Sequence, residues 1–169
     1  MTCQLKFKHF IFRYYLGVAI IGSGGGVAAV FYYCDKDRIP LVGSVVAFAL
    51  AFVYFVLQQK LAEISLFKDL FTNFNLRYDV LNDELVRLEK APAAPEGKDR
   101  QFVVDYFNLC AEEYLFYSEG YIHHEAWRAW CRGMLWYIKR EPFQKIWKEE
   151  IAKNSYYGLT ENVIELGSA

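Results

Sequence analysis

The sequence predicts an all-α membrane protein: a two-helix transmembrane hairpin, a long stalk helix and a small cytosolic helical domain. Three observations predict it. Two uncharged apolar stretches lie back to back at residues 14–34 and 39–57, apolar residues then recur at steps of three and four as far as Leu88, and no strand pattern of useful length follows. The organisation that results is an N-terminal arm and hairpin over 1–57, a stalk over 58–90, a linker over 91–99, and a helical domain with a C-terminal tail over 100–169.

A bilayer core of about 30 Å needs roughly 20 helical residues, because every backbone amide inside it must find its partner within the segment. Both stretches meet that length. Only Asp35, Lys36, Asp37, Arg38 and Ile39 bend the chain between them. The run is too long for a cleaved leader and a second span follows at once, so Gly26-Val27-Ala28 is not read as a cleavage site.

The second stretch, with Leu41, Val42, Val45, Val46, Phe48, Leu50, Phe52, Val53, Phe55, Val56 and Leu57, should insert unaided. The first is weaker, because Gly17, Gly22, Ser23, Gly24, Gly25 and Gly26 occupy it and each glycine costs a helix about 1 kcal/mol relative to alanine. Two readings of these glycines stay open. They let the spans pack closely, Gly22xxxGly26 and Gly25xxxAla29 facing Gly43xxxAla47xxxAla51. Alternatively they form a flexible or oligomer-forming centre that opens a leak path.

Orientation follows from the short flanks. Lys6, Lys8 and Arg13 precede the first span, Lys60, Lys68 and Arg77 follow the second, and only Lys36 and Arg38 lie between. Lysine and arginine collect on the cytoplasmic side, so both termini are expected there, in a multi-pass membrane protein. Tyr14, Tyr15, Tyr32, Tyr33 and Tyr54 fall near the span ends, at headgroup depth. Cys3, Cys34, Cys110 and Cys131 show no CxxC spacing, and no disulfide framework is expected.

Beyond the spans, Leu61, Ile64, Phe67, Phe71, Phe74, Tyr78, Leu81, Leu85 and Leu88 continue the helical period without a Gly or Pro before Pro92. One stalk of about 32 residues, near 48 Å, is expected. Its stripe needs a cover, either later helices of the same chain or the same stripe of a second copy. Ala91 to Gly97, with Pro92 and Pro95, breaks the helix.

A second helix is expected over 100–118 with Gly120 as terminator, a third over about 124–140, and a fourth with Pro142 at its first position. The final Gly167-Ser168-Ala169 is left outside the fold.

Phe74-Asn75-x-Arg77-Tyr78-Asp79-x-Leu81-Asn82, the run from Asp105 to Tyr114, Gly120-Tyr121-Ile122 and Trp127-x-x-Trp130-x-x-Gly133-Met134 follow one another along the soluble part. In this succession the chain resembles a widespread bacterial family of membrane-anchored helical proteins of the inner membrane, a resemblance that spans most of the soluble part. Small two-span proteins of this build also look like the effectors of retron anti-phage defence. That resemblance implies a toxic membrane protein, restrained by a reverse transcriptase and its RNA–DNA product until infection.

No enzyme motif competes with this reading. Gly24-Gly25-Gly26-Val27-Ala28-Ala29 fits a dinucleotide fingerprint formally, but lacks the βαβ unit and the later acidic residue. His123 and His124 are adjacent and diverge by about 100° on a helix, so one is expected to cap and the other to face solvent rather than share a metal. No catalytic residue, cofactor or metal is therefore assigned. From Gln58 onward acidic residues outnumber basic ones, which argues against direct nucleic-acid binding.

The charge layout points instead to protein partners. The stretch 96–125 is mostly acidic and 128–153 mostly basic. These faces could neutralise each other across adjacent helices, or dock a cytosolic protein or ribonucleoprotein through Glu112, Glu113, Arg128, Arg132, Lys139 and Arg140. Trp136 falls off the Trp127, Trp130 and Met134 stripe, beside Arg132 and Arg140, where an exposed tryptophan would anchor an interface. The remaining partners expected are the lipid bilayer and a second copy of the chain.

Overall fold

The computed structural model describes residues 3–34, 36, 38–91 and 94–169, with side chains from residue 12 onward. Asp35 and Asp37 of the expected bend, Pro92 and Ala93 of the expected linker, and the side chains of Cys3, Lys6 and Lys8 lie outside that set. Among the described residues all regular structure is helical: α1 (Cys3–Tyr33), α2 (Arg38–Glu89), α3 (Gly97–Ser118), α4 (His124–Ile138), α5 (Phe143–Ile151) and α6 (Glu161–Ser168). The chain divides into two compact units, Met1–Ile64 and Ser65–Ala169, and α2 contributes to both.

The first unit consists of α1 and the leading part of α2. Within it are two helices long and apolar enough to cross a membrane, each nearly unburied along its apolar window. Their hydroxyls are satisfied locally, Ser23 Oγ donating to the Ile20 carbonyl and Ser44 Oγ to the Pro40 carbonyl. The helices meet through side chains. A methyl group added at Gly26 would lie 3.0 Å from Val45 Cγ1, and Lys60 Nζ sits 4.3 Å from the centroid of the Tyr15 ring.

The α2 face turned to α1 carries Val45, Ala49, Phe52 and the buried Val56. This corrects the expected pairing of small faces. Gly43, Ala47 and Ala51 are exposed, as are Gly22, Gly25 and Ala29, and a Cβ at Gly22, Gly25 or Gly43 would meet nothing within 4 Å. Residues 45 and 47 lie about 200° apart on a helix, so turning valine and phenylalanine inward turns the alanine stripe outward.

The second unit gathers the rest of α2 with α3 to α6 around an aromatic core. Phe74, Leu85 and Leu88 of the α2 stripe are buried, and Phe67, Leu70, Tyr78 and Leu81 are half-buried against the same core. The stripe is therefore covered here by later helices of its own chain. Phe107 meets Trp147 edge-on at 5.0 Å, Tyr117 stacks on Trp127 at 4.8 Å, and Phe71 stacks on Trp130 at 5.7 Å. Such rings bury about 150–250 Å² each, and truncating one to alanine costs about 3–5 kcal/mol.

Helix ends follow local chemistry. Gly120, at φ +83°, ends α3: its N–H donates to the Tyr117 carbonyl and that of Tyr121 to the Phe116 carbonyl, the paired bonds of a Schellman motif. At the start of α6, Thr160 Oγ1 accepts from the Val163 N–H. The α3 start is Gly97 rather than residue 100, α4 ends at Ile138, and Pro142 precedes α5 as its N-cap.

A larger correction concerns the C-terminus. Residues 167–169 are not an appendage, because Gly167 and Ser168 close α6, and Gly167 is buried against Trp127 and Cys131. A three-residue window shows no period, and only the packing of α6 on α4 reveals it.

Candidate functional site

The fourteen residues expected to act fall into two groups, and the first lies on the apolar helices. Between α1 and α2 runs an apolar groove of about 580 Å³ lined by Val18, Gly22, Gly26, Val45, Phe48 and Phe52 among others. Gly22 and Gly26 reach this groove, whereas Gly43, Ala47 and Ala51 form a separate uncovered face. Ile20, Ile21, Phe48 and Leu50 are each about two-thirds exposed or more. Water would penalise apolar surface on that scale, whereas hydrocarbon would not.

The second group lies on α3 and α4. Arg77 on α2 grips Glu112 with both terminal nitrogens, at 2.5 and 3.0 Å, so Glu112 is committed within the chain. That bond holds the Arg77 guanidinium even more firmly protonated. Glu113 is no surface residue: it is 6% exposed. The expectation that it docks a partner is corrected on that ground, since it belongs to the α3 face turned to α2 and α4. Burial pushes its carboxyl up to about 8, the Arg77 charge pulls down, and the Glu112 charge pushes up. Burial also pushes the neighbouring Cys131 thiol up to about 12 and raises the Cys110 thiol.

The basic residues of α4 divide by partner. Arg128 Nη2 donates to the Ala169 carbonyl at 2.8 Å, and Nη1 lies 3.7 Å from Glu125. Lys139 Nζ bonds Glu165 on α6 at 2.7 Å. Both therefore fasten the C-terminal helix.

Arg132 and Trp136 on α4 and Arg140 just beyond it recur every four residues in one stripe, exposed at Arg132 and Trp136 and half-buried at Arg140. Arg140 lies over the Trp136 ring at 3.3 Å, caps the Trp136 carbonyl at 2.7 Å and approaches Glu89 at 3.4 Å. Trp136 is 51% exposed, and Arg132 makes no ion pair with a described residue. A guanidinium held flat on indole presents an amphipathic, preorganised surface.

The charge segregation is thus absorbed in part within the chain, but not by α3 against α4. The acidic stretch pairs with Arg77 and Arg87 of α2, and Arg100 bonds Glu149 and Glu150 near the end of α5. Neither histidine caps by its side chain: His123 sets its ring edge-on to Phe67 at 4.2 Å, and His124 Nδ1 lies 3.2 Å from the Tyr117 hydroxyl. No cluster of metal-ligating residues occurs among the described residues.

Sequence reasoning did not assign roles to Arg77, Gly133 or Gly167. Arg77 was legible only as a flanking charge, and the two glycines carry no local signal. Comparison with family models, curated proteins and solved structures gives no match for this chain.

Proposed function

We propose that this chain is a membrane-acting effector of a bacterial anti-phage defence system. In this reading α1 and the leading part of α2 insert in the inner membrane as a hairpin with both termini cytoplasmic. The rest of α2 is the stalk, which from Ser65 onward packs as part of the cytosolic domain Ser65–Ala169 that a partner restrains. The partner is a cytosolic protein or ribonucleoprotein, of the reverse transcriptase kind that the resemblance implies. Release lets copies associate and disrupt the bilayer, with no enzymatic step.

The observation that carries the reading is that the small-residue faces stay uncovered. Gly22 and Gly26 line the groove against α2, but Gly25 and Ala29 on α1, and Gly43, Ala47 and Ala51 on α2, are exposed. Such faces allow close approach between membrane helices, and glycine costs helix stability unless approach or motion uses it. The contact of Lys60 with Tyr15, far from the interhelical bend in sequence, supports the hairpin.

The test is expression without a partner while growth and membrane potential are followed. Growth arrest with depolarisation is expected, and leucine at Gly25 or Gly43 should relieve both without loss of insertion. A harmless wild-type chain overturns the effector reading.

The Arg132, Trp136 and Arg140 stripe favours a second reading, a non-toxic anchor or adaptor that recruits a cytosolic complex. The same toxicity experiment separates the two.

A further inference from the structure

Within the second unit, a cavity of about 210 Å³ opens among α2, α3 and α4, lined by Asn75, Tyr78, Tyr106, Glu113, Trp130 and Gly133 among others. Its polar groups have an unusual balance. The Glu113 carboxyl lines the cavity, is 6% exposed and accepts no hydrogen bond from any described residue. Arg77, the nearest cation, spends both terminal nitrogens on Glu112. Asn75 gives one amide N–H to the Phe71 carbonyl at 2.6 Å, which leaves its oxygen and its second N–H uncommitted.

The cavity therefore offers a carboxyl without a partner and aromatic walls, and the guanidinium nearby is already spent on Glu112. A largely buried carboxyl with no protein donor is stabilised by a ligand that brings positive charge. Ring faces of Tyr and Trp attract cations within about 6 Å, and a carboxylate completes the recognition of an ammonium group. The volume corresponds to about seven waters at about 30 Å³ each, which admits a compact organic cation but no nucleotide or peptide.

We propose that this cavity is a binding site for a small organic ammonium ion, held by the Glu113 carboxylate against the Tyr78, Tyr106 and Trp130 rings. The site is independent of the membrane reading, since every lining residue lies in Ser65–Ala169.

Capture couples to a proton. The groups facing Glu113 are Arg77 and Tyr78 on α2, Tyr106, Cys110 and Glu112 on α3, and Cys131 on α4. Of these only Arg77 favours the carboxylate. Burial holds the empty site's carboxyl up to about 8, so at neutral pH a cation must displace its proton. Affinity should accordingly rise about tenfold per pH unit below that value and level off above it.

The test is calorimetric titration of the full chain in detergent micelles with tetramethylammonium chloride, against sodium chloride at matched ionic strength and against neutral tert-butanol. Saturable binding of tetramethylammonium alone is expected, stronger at pH 8 than at pH 6. Glu113→Gln, which keeps shape and removes charge, should abolish it.

Gly133→Leu gives an independent arm. A Cβ at Gly133 meets nothing within 4 Å, so the larger side chain should fill the cavity and block binding while Glu113 remains. Tetramethylammonium heats equal to those of sodium, or binding that persists in either folded variant, overturn the proposal.

Discussion

Adding one methyl group at Gly167 and at Gly133 should move stability in opposite directions. At Gly167 the new Cβ would lie 2.5 Å from Trp127 Nε1 and 2.6 Å from Cys131 Sγ, roughly an ångström inside ordinary contact. Neither neighbour can yield cheaply. Trp127 is 1% exposed and stacked on Tyr117, and Cys131 is wholly buried.

Overpacking of this kind costs about 1–3 kcal/mol. The helix-propensity gain from glycine to alanine is at most about 1 kcal/mol and smaller in a last turn, so the clash decides the sign. The loss is capped by undocking α6, whose buried Ile164 contributes about 1.5–3 kcal/mol. A domain of this size loses about 4 °C per kcal/mol, so Gly167→Ala should melt about 4–8 °C lower.

Gly133 is mid-helix with open space at its Cβ, so Gly133→Ala keeps the propensity gain and should melt about 2–4 °C higher. The assay is tryptophan fluorescence of the full chain in micelles. All four tryptophans lie in Ser65–Ala169, so α1 and the leading part of α2 contribute nothing to the signal. A Gly167→Ala variant that melts at or above the wild type would refute the close packing of α6.

The pH dependence of the same unit provides a second check. The folded Glu113 carboxyl holds its proton up to about 8 against an ordinary 4.5, so its stabilising contribution is complete below 4.5 and is lost as pH rises to about 8. The slope should not exceed about 1.4 kcal/mol per pH unit, and Glu113→Gln should flatten it; an unchanged slope in the variant would assign it elsewhere. Glu150 works in the opposite window. Burial raises its carboxyl but the Lys153 and Arg100 hydrogen bonds outweigh this and hold it low, so its contribution is present above about pH 4.5 and lost in acid; Glu150→Gln should lower the melting point at neutral pH and converge on the wild type in acid melts. Reporter fusions after Gly97 and at the C-terminus should both read cytoplasmic, and a periplasmic C-terminus would reverse the proposed topology. Arg132→Glu with Arg140→Glu should weaken capture of a co-encoded partner at least tenfold while leaving insertion unchanged; undiminished pull-down would leave the stripe a purely surface feature.

What the sequence by itself determined was periodicity and the length of its apolar helices. Length, absence of charge and the three-four spacing are local properties, so the two apolar helices, the unbroken run to Glu89 and the Gly120 stop could be read before any packing was known. Tertiary structure decided which faces meet. Gly43, Ala47 and Ala51 share a stripe as the spacing says, but burial of Val45 and Phe52 rotates that stripe outward. Glu112 and Glu113 are adjacent acids in the chain, yet the 100° turn between them puts one in a surface ion pair and the other inside a cavity. Gly167 shows the same limit most plainly. A glycine near the end of a chain carries no local information, and its importance arises only where the Trp127 indole leaves no room for another atom.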